Sequence, residues 1–348
     1  MLNFVYRLLY LITGICWLNI WLIQALVALV LVGPKKLFDK SKENEPPAAL
    51  HDPVYGEHKS VTVNKVKLHY VVSGPTQAPL MLMLHGFPEI WYSWRYQIKE
   101  FQKDFRVVAV DMRGYGDSDK PKGLENYKMD VLVQDVQELI EALGYRSCVL
   151  VSHDWGGAVA WAFASIYPEM VDRLVVMNMA PAMIWKQGFT SIWNLWQFLS
   201  SGYIYLFHLP YLPEILAGLQ DIKMLEDTFL QKPFGVHSGL MTKDDVECYK
   251  YYYRKPGTFT SGMNYYRANL HIDSTSHGLN YPMPVQIIWG CQDQALTMKL
   301  LEQTAKAVPH ARVAKIKESS HWVQMDQPDK VCIIMRDFLL DTGYHATQ

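Results

Sequence analysis

The chain of 348 residues is 50% hydrophobic and 19% charged, which is enough apolar material to bury a large core. Its 33 basic and 34 acidic side chains nearly cancel, so the sequence excludes a strong field that would attract nucleic acid or a polyanion. The five cysteines are scattered without CxxC pairs, so no metal site is predicted. We expect one large domain, or a domain with an insertion, that does not bind nucleic acid.

The first element in chain order is an apolar run. Residues 8–32 contain no charged side chain, and this run exceeds the about 20 residues that a bilayer-spanning helix needs. A cleaved signal peptide would have an apolar core of only about 7–15 residues and a small-residue cleavage site. We therefore predict a retained membrane anchor in residues 1–36. The lysines at 35, 36, 40 and 42 follow the anchor and direct the rest of the chain toward the cytosol.

A folded domain is predicted after a polar, proline-bearing linker at residues 37–58. The stretch SVTVNKVKLHYVVSG alternates apolar and polar residues around Asn64 and Lys65, which indicates a β-hairpin. Six strand-like runs follow, separated by helix-length segments: LMLMLHG, FRVVAVD, CVLVSHD, RLVVMNM, VQIIWGC and ARVAKIK. Near-continuous apolar strands that alternate with helices indicate an α/β fold with a mostly parallel sheet.

The alternation is interrupted once. Residues 182–280 are rich in aromatic and leucine side chains with helical spacing. A structureless loop of this length is improbable in a compact domain, so we predict an inserted helical cap that acts as a lid over the strand ends. The two parts of the α/β core are then residues 59–181 and 281–348.

The sequence VLVSHDWGGAVAWAFA, residues 149–164, predicts a strand that turns sharply into a helix through small residues. Ser152, Gly156 and Gly157 leave room around Asp154, as the nucleophile elbow of an α/β-hydrolase requires. The alternative interpretation of Asp154 is a helix N-cap. An elbow of this kind carries serine in esterases, so the aspartate indicates a different reaction.

Two further residues complete a possible catalytic triad. In α/β-hydrolases the acid and the histidine follow the nucleophile in that order. WGCQDQAL places Asp293 after one strand, and ESSHWVQMDQP places His321 after the last one. Each residue alone has a simpler reading, as a turn aspartate or a surface histidine. Their order at successive strand ends favours catalysis.

Five segments carry a resemblance to a known family: HGFPEIWYSWR, DMRGYGDSD, SHDWGG, DQAL and SSHWVQMDQP. They resemble the epoxide hydrolases of the α/β-hydrolase superfamily, and the similarity runs from about residue 55 to the C-terminus. Together with the N-terminal anchor, the pattern is most similar to the membrane-anchored epoxide hydrolase 3 and 4 subgroup. The resemblance implies an eight-stranded α/β-hydrolase fold, no metal and no cofactor.

The resemblance also implies a mechanism. Asp154 would attack an epoxide carbon to form an ester, and His321, oriented by Asp293, would activate the water that hydrolyses it. A carboxylate suits this reaction because water cleaves an ester, whereas a hydroxyl nucleophile would leave a stable ether. The resemblance assigns the oxyanion hole to the backbone N–H groups of Phe87 and Trp155, whose side chains would line the pocket.

The family uses two lid tyrosines as proton donors to the epoxide oxygen. SSGYIYLFHLPYLPE matches the first at Tyr203, and GMNYYRANL matches the second at Tyr266. Three neighbouring tyrosines remain alternative donors: Tyr205, Tyr211 and Tyr265. His85 and His153 are interpreted as structural, the former as a brace of the oxyanion loop and the latter at a position that tolerates any residue.

The expected partners are a lipophilic epoxide, such as a fatty-acid epoxide, water, and membrane lipid around the anchor. We expect a single-pass protein of the endoplasmic reticulum. Haloalkane dehalogenases also use an elbow aspartate, but their halide needs N–H donors and not a pair of phenols. A fluoroacetate-type dehalogenase would carry arginine where this chain has Trp155. A catalytically inactive, membrane-tethered scaffold is the remaining alternative.

Overall fold

A computed structural model describes residues 2–38, 45–190, 203–269 and 278–344. At its centre lies a single sheet of eight strands: β1 Glu57–Val63, β2 Val66–Ser73, β3 Leu80–Leu84, β4 Arg106–Val110, β5 Cys148–His153, β6 Val171–Met177, β7 Val285–Gly290 and β8 Arg312–Ile316. The strand order is β1-β2-β4-β3-β5-β6-β7-β8. The pairs β1–β2 and β2–β4 are antiparallel, and the other five are parallel. The predicted α/β-hydrolase fold is confirmed.

The described helices are α1 Leu2–Val32, α2 Pro34–Leu37, α3 Arg95–Phe101, α4 Met129–Ala142, α5 Asp154–Ile166, α6 Ala182–Thr190, α7 Tyr203–Phe207, α8 Leu212–Ala217, α9 Leu219–Leu230, α10 Lys243–Tyr253, α11 Thr258–Asn269, α12 Met298–Ala307, α13 Val323–Asp326 and α14 Pro328–Asp341. Every residue of β3, β5 and β7 is buried. Strands that are buried along their whole length indicate that helices cover both faces of the sheet. The edge strand β8 is mostly exposed.

The predicted hairpin is present as β1 and β2. Asn64 and Lys65 adopt φ angles of 44° and 62°, which a two-residue turn of type I′ requires. The first strand begins at Glu57, two residues before the predicted core, because Glu57 pairs with Val72 on β2.

Part of the predicted linker is folded onto the domain. Two short 3-10 turns occupy residues 48–51 and 53–55, and they pack on the domain through Leu50 and Tyr55, which are both buried. The His58 ring nitrogen Nε2 lies 2.8 Å from the Leu50 carbonyl oxygen, which ties the turn to β1. The described part of the linker is therefore attached to the domain, because its apolar side chains are buried in the domain core.

Helices α6 to α11 lie in the chain between β6 and β7, where the cap is predicted. One example of its local stability is α10, which begins with a capping box between Thr242 and Asp245. At the N-terminus, residues 14–31 of α1 have a mean hydropathy of 2.1, so this helix is long and apolar enough to cross a membrane. The domain limits given above stay predictions.

Candidate active site

The elbow lies where β5 ends and α5 begins. Asp154 is the first residue of α5 and has a φ of 48°, a left-handed conformation that is costly for a residue with a side chain. Two glycines allow the chain to pass this close. A Cβ on Gly156 would lie 2.2 Å from the Leu84 carbonyl oxygen, and a Cβ on Gly86 would lie 2.4 Å from Asp154 Oδ1. Strand β3, its loop and the elbow are thus in direct contact.

The three residues of the predicted triad are brought together at the carboxyl edge of the sheet. His321, which follows β8, places Nδ1 2.7 Å from Asp293 Oδ2 and Nε2 3.6 Å from Asp154 Oδ2. Asp293, which follows β7, also accepts hydrogen bonds from Asn178 Nδ2 at 2.6 Å and from the Leu296 N–H at 2.8 Å. The acid is therefore held from several sides, and it fixes the orientation of the imidazole.

Electrostatics couple these three groups. Burial alone would lower the pKa of His321, but Asp293 and Asp154 raise it to about 10. Burial alone would raise the pKa of Asp154, but the hydrogen bond to His321 and the charge of His321 hold it below its usual value. Asp293 behaves in the same way, with His321 as the main cause of its lowered pKa. The unliganded site thus favours a cationic imidazole between two carboxylates.

The predicted oxyanion donors flank the nucleophile. The Phe87 N–H donates to Asp154 Oδ1 at 2.9 Å. The Trp155 N–H belongs to the first turn of α5, where backbone N–H groups have no acceptor within the helix. The side chain of His85 braces this loop as expected, since Nδ1 lies 2.8 Å from the Gly86 carbonyl oxygen and Nε2 accepts from the Met112 N–H at 3.1 Å.

Both predicted lid tyrosines lie beside the elbow. The Tyr266 ring packs edge-on against Trp155 and Phe87, with centroid distances of 4.9 Å and 5.6 Å. The Tyr203 ring lies 6.1 Å from that of Tyr266. Burial, and then the charge of Asp154, raise the pKa of Tyr203. Burial, followed by Tyr203 and Asp154, also raises the pKa of Tyr266. Both phenols therefore keep their protons near neutral pH.

The alternative tyrosines differ in position. The Tyr265 hydroxyl donates to the Arg113 carbonyl oxygen at 2.7 Å, so its proton is engaged on the core side. Tyr211 is 81% exposed and faces away from the elbow's buried surroundings. The side chain of Tyr205 lies outside the described part of the structure. Of the tyrosines compared here, Tyr203 and Tyr266 are the pair that contact each other's rings near Asp154.

One buried charge pair was missed by the sequence analysis. His153 Nδ1 lies 2.5 Å from Glu89 Oε1, and His153 Nε2 lies 2.9 Å from the carbonyl oxygen of His321. Glu89 also accepts from the Gly86 N–H at 3.0 Å and from Gln324 Nε2 at 2.8 Å. Because both ring nitrogens face oxygen acceptors, both donate. Burial would raise the pKa of Glu89, but His153 holds it below its usual value.

These contacts agree with the interpretation of His153 as a structural residue, and the tolerance of the position to other residues stays a prediction. Its ring joins the β3 loop to the backbone of the histidine in the triad. No local sequence pattern joins Glu89 to His153, because Glu89 lies on the loop after β3 and His153 ends β5. Among the described residues, no group of three His, Cys, Asp or Glu side chains is arranged to hold a metal ion.

Comparison with known proteins gives a consistent result. Residues 79–328 match the family of the alpha/beta hydrolase fold. The chain is similar to human epoxide hydrolase 4, with 38% identity over 96% of this chain and 92% of the relative. It is also similar to mouse epoxide hydrolase 3, with 39% identity over 85% of this chain and 82% of the relative.

A solved structure resembles the chain to a similar degree. A variant of the Bacillus megaterium epoxide hydrolase, bound to its naphthyloxy-propane diol product, superposes with a TM-score of 0.72 at 36% identity. The similarity covers 81% of this chain and 100% of the bacterial one.

Proposed function

Because the chain belongs to the epoxide hydrolase family of the α/β-hydrolases, we propose that it opens lipophilic epoxides to vicinal diols through a transient ester on Asp154. Epoxide hydrolases are hydrolases that act on ether bonds, so the reaction class follows from the family. The ester, the residue roles and the choice of substrate are proposed here for this chain.

In the first step, Asp154 Oδ2 attacks an epoxide carbon and the bond from that carbon to the epoxide oxygen breaks. The choice of Oδ2 is supported by the hydrogen bond from the Phe87 N–H to Oδ1, which leaves Oδ2 as the oxygen facing His321. Carboxylate attack on a saturated carbon yields an ester, which water can cleave. A serine at this position would yield an ether and stop after one turnover.

The leaving oxygen receives a proton from the lid. An alkoxide is a poor leaving group, so a donor on the wall opposite the nucleophile lowers the barrier. Tyr203 and Tyr266 are proposed for this role because both pKa values are raised, which keeps the hydroxyls protonated. The packing of Tyr266 against Trp155 and Phe87 supports its placement close to Asp154.

In the second step, His321 takes a proton from water, and the water oxygen attacks the carbonyl carbon of the ester. The bond from that carbon to Oδ2 then breaks, and the diol leaves with Oδ2 after taking the proton from His321. The water oxygen stays in the side chain of Asp154. The ester no longer carries the charge of Asp154, which is one of the causes of the raised pKa of His321. The proton that His321 carries before the reaction therefore leaves more readily once the ester has formed. That proton restores the phenol before water attacks. The Phe87 and Trp155 N–H groups would donate hydrogen bonds to Oδ1 and stabilise the negative charge that develops there during the attack.

The observation that carries the proposal is the line of contacts from Asp154 through His321 to Asp293, with the Phe87 N–H on the other carboxylate oxygen. The decisive experiment is a single turnover of excess enzyme with a long-chain epoxide in ¹⁸O-labelled water. We expect the label in the Asp154 side chain, by peptide mass spectrometry, and not in the diol of that first turnover. Label found only in the diol would refute the ester.

The variant Asp154→Ala is expected to abolish turnover, by at least about 10⁴-fold. Its control is Asp329→Ala, because Asp329 is an exposed carboxylate at the start of α14. A haloalkane included in the same panel tests the dehalogenase alternative, since halide release without diol formation would contradict the epoxide assignment. A chain inactive on every epoxide would favour the scaffold alternative.

The substrate class and location are proposed from two features. The lid surrounds the elbow with aromatic rings, and the bacterial relative's diol product carries a naphthyl group, so we propose fatty-acid or aromatic epoxides as substrates. The apolar α1 supports a single-pass anchor, with the endoplasmic reticulum as the membrane and the cytosol as the side of the catalytic domain. Cell fractionation and protease protection of the tagged C-terminus test this location.

A further inference from the structure

Helix α1 is covered along one stripe only. From residue 12 onward, the described residues that are partly covered are Gly14, Trp17, Leu18, Trp21 and Ala25, which repeat at helical spacing and share one face. The opposite face is open, and Ile23, Leu26 and Val30 are 59%, 60% and 82% exposed. Such a helix has an inner side against protein and an outer side without a protein partner among the described residues.

The inner stripe meets the lid. Helix α1 contacts α7, the lid helix that carries Tyr203, and Trp21 packs against the hydrophobic core. The following helix α2 contacts α9, and its Leu37 is only 3% exposed. The covered stripe lies within residues 14–31, the part of α1 that is apolar enough for a membrane. Lipid around the outer face of α1 would therefore reach the lid at the same depth.

The lid segment 203–219 next to this contact has the composition of a membrane-facing surface. It contains one acidic side chain, one histidine, and no lysine or arginine. That acid, Glu214, is turned toward the protein, where Arg267 Nη1 lies 2.7 Å from Glu214 Oε1. Outward, Tyr211 is 81% exposed and Ile215 is 56% exposed. An apolar surface rimmed by tyrosine is typical of proteins that lie in the boundary between headgroups and acyl chains.

The position of α8 makes this surface continuous with the anchor. Helix α8 lies between α7 and α9 in the chain, and it contacts α9. Of these two lid helices, α7 contacts α1 and α9 contacts α2. A bilayer is thus the occupant that accounts for both the open face of α1 and the exposed Tyr211 and Ile215.

We propose that lid residues 203–219 dock on the lipid bilayer beside α1, and that membrane-dissolved epoxides enter the site through this face of the lid. The inference rests on the proposed epoxide hydrolase function and names the source of its substrate. The lipid-facing surface and the proton donor share α7, because that helix contacts α1 and also carries Tyr203 beside Tyr266. Substrate arriving from lipid would have a short path to Asp154.

A kinetic comparison tests the proposal with the full chain in phosphatidylcholine vesicles. Ile215→Glu is compared with Ile333→Glu, because Ile333 on α14 is 59% exposed and matches Ile215 at 56%. Each variant is assayed on a long-chain epoxide dissolved in the vesicles and on a small water-soluble epoxide. We expect Ile215→Glu to raise KM for the vesicle substrate by about tenfold or more, because a charge opposes insertion.

For the soluble epoxide, kcat/KM should stay within about twofold in both variants, since Ile215 does not take part in the chemistry. Equal KM values of Ile215→Glu and the unmodified chain on the vesicle substrate would overturn the proposal. The failure of the proposed function would look different, because the unmodified chain would then convert neither epoxide.

A second measurement needs no variant. The full chain is reconstituted in vesicles that contain a phospholipid with a photoactivatable acyl chain, and the labelled peptides are identified by mass spectrometry. We expect labels in α1 and in residues 203–219, with none in α14. Labels confined to α1 would overturn the proposal.

Discussion

The carboxyl edge of the sheet and the lid contribute to the same site by different means. At the sheet edge, Asp154, Asp293 and His321 follow strands whose order fixes where each loop emerges, and short hydrogen bonds hold them. In the lid, Tyr203 and Tyr266 are positioned mainly by aromatic packing. Hydrogen bonds between charged groups fix both the distance and the angle between side chains, whereas the packing of aromatic rings leaves the side chains more freedom to move. We therefore expect larger losses from changes at the sheet edge than from changes in the lid.

The largest effect is expected for His321→Gln, which removes the base of the second step. We expect kcat to fall by about 10⁴-fold or more while the ester on Asp154 still forms. Intact-protein mass spectrometry should show an adduct with the mass of the substrate, localised to the peptide of Asp154. If no adduct forms at saturating epoxide, His321 is needed for the first step as well, which would contradict its assignment to the second step alone.

The next effect is expected for Asp293→Asn, since the amide cannot stabilise a cationic imidazole or fix its tautomer. We expect a fall in kcat of about 10³- to 10⁴-fold and a lower pKa of His321, because Asp293 is a principal cause of its raised pKa. NMR titration of the His321 ring measures the pKa directly. A variant with an unchanged ring pKa would show that the 2.7 Å contact does not act as proposed.

In the lid, Tyr266→Phe should lower kcat by about 10²-fold and Tyr203→Phe by about tenfold, because one phenol can partly replace the other as donor. The double variant should lose about 10³-fold or more. Tyr265→Phe is the matched control, since its hydroxyl donates to the Arg113 carbonyl oxygen. That control should lose about 1 kcal/mol of unfolding free energy and keep its kcat. Loss of activity in Tyr265→Phe instead would reassign the donor.

A smaller effect on kcat, about tenfold, is expected for Glu89→Gln, because a neutral amide removes the charge that holds His153. The acidic limb of the pH profile of kcat should move, while KM changes little, since Glu89 is fully buried behind the loop. The exposed Glu125→Gln provides the control. An unmoved pH profile together with a lower melting temperature would restrict Glu89 to a role in folding.

The smallest effect concerns stability. The pKa of His321 is raised from 6.5 to about 10 in the folded chain, so its ion pairs stabilise the fold fully below pH 6.5 and lose that contribution as the pH rises toward 10. We expect the melting temperature to fall by about 5 °C over this range beyond the fall seen in His321→Gln. Parallel curves for the two proteins would show that the histidine is not cationic in the unliganded site.

The same contrast explains what the sequence could predict. Strand ends, the turn at Asn64 and Lys65, and the order of Asp154, Asp293 and His321 follow from local patterns and from the rule of chain order, so they were accessible. The contacts of Asn178 with Asp293 and of Glu89 with His153 join loops from different strands. No local pattern encodes such pairs, because they depend on how the loops pack.

The lid was predictable as helical but not in its arrangement. Aromatic residues at helical spacing indicate helices, yet they do not say which ring faces the elbow, and the resemblance alone selected Tyr203 and Tyr266. The packing of the linker residues Leu50 and Tyr55 was also missed, because two apolar side chains in a proline-bearing polar stretch give no periodic signal.

The pair of Glu89 and His153 makes the site a cooperative unit. It connects the loop after β3, the last residue of β5 and the backbone of His321, and separating any of these would strand a charge away from water. Local opening of one loop is therefore costly unless the others open too. Amide hydrogen exchange at the three segments should give one free energy of opening and one denaturant dependence. A chain damaged at any of these segments would then lose all of its activity.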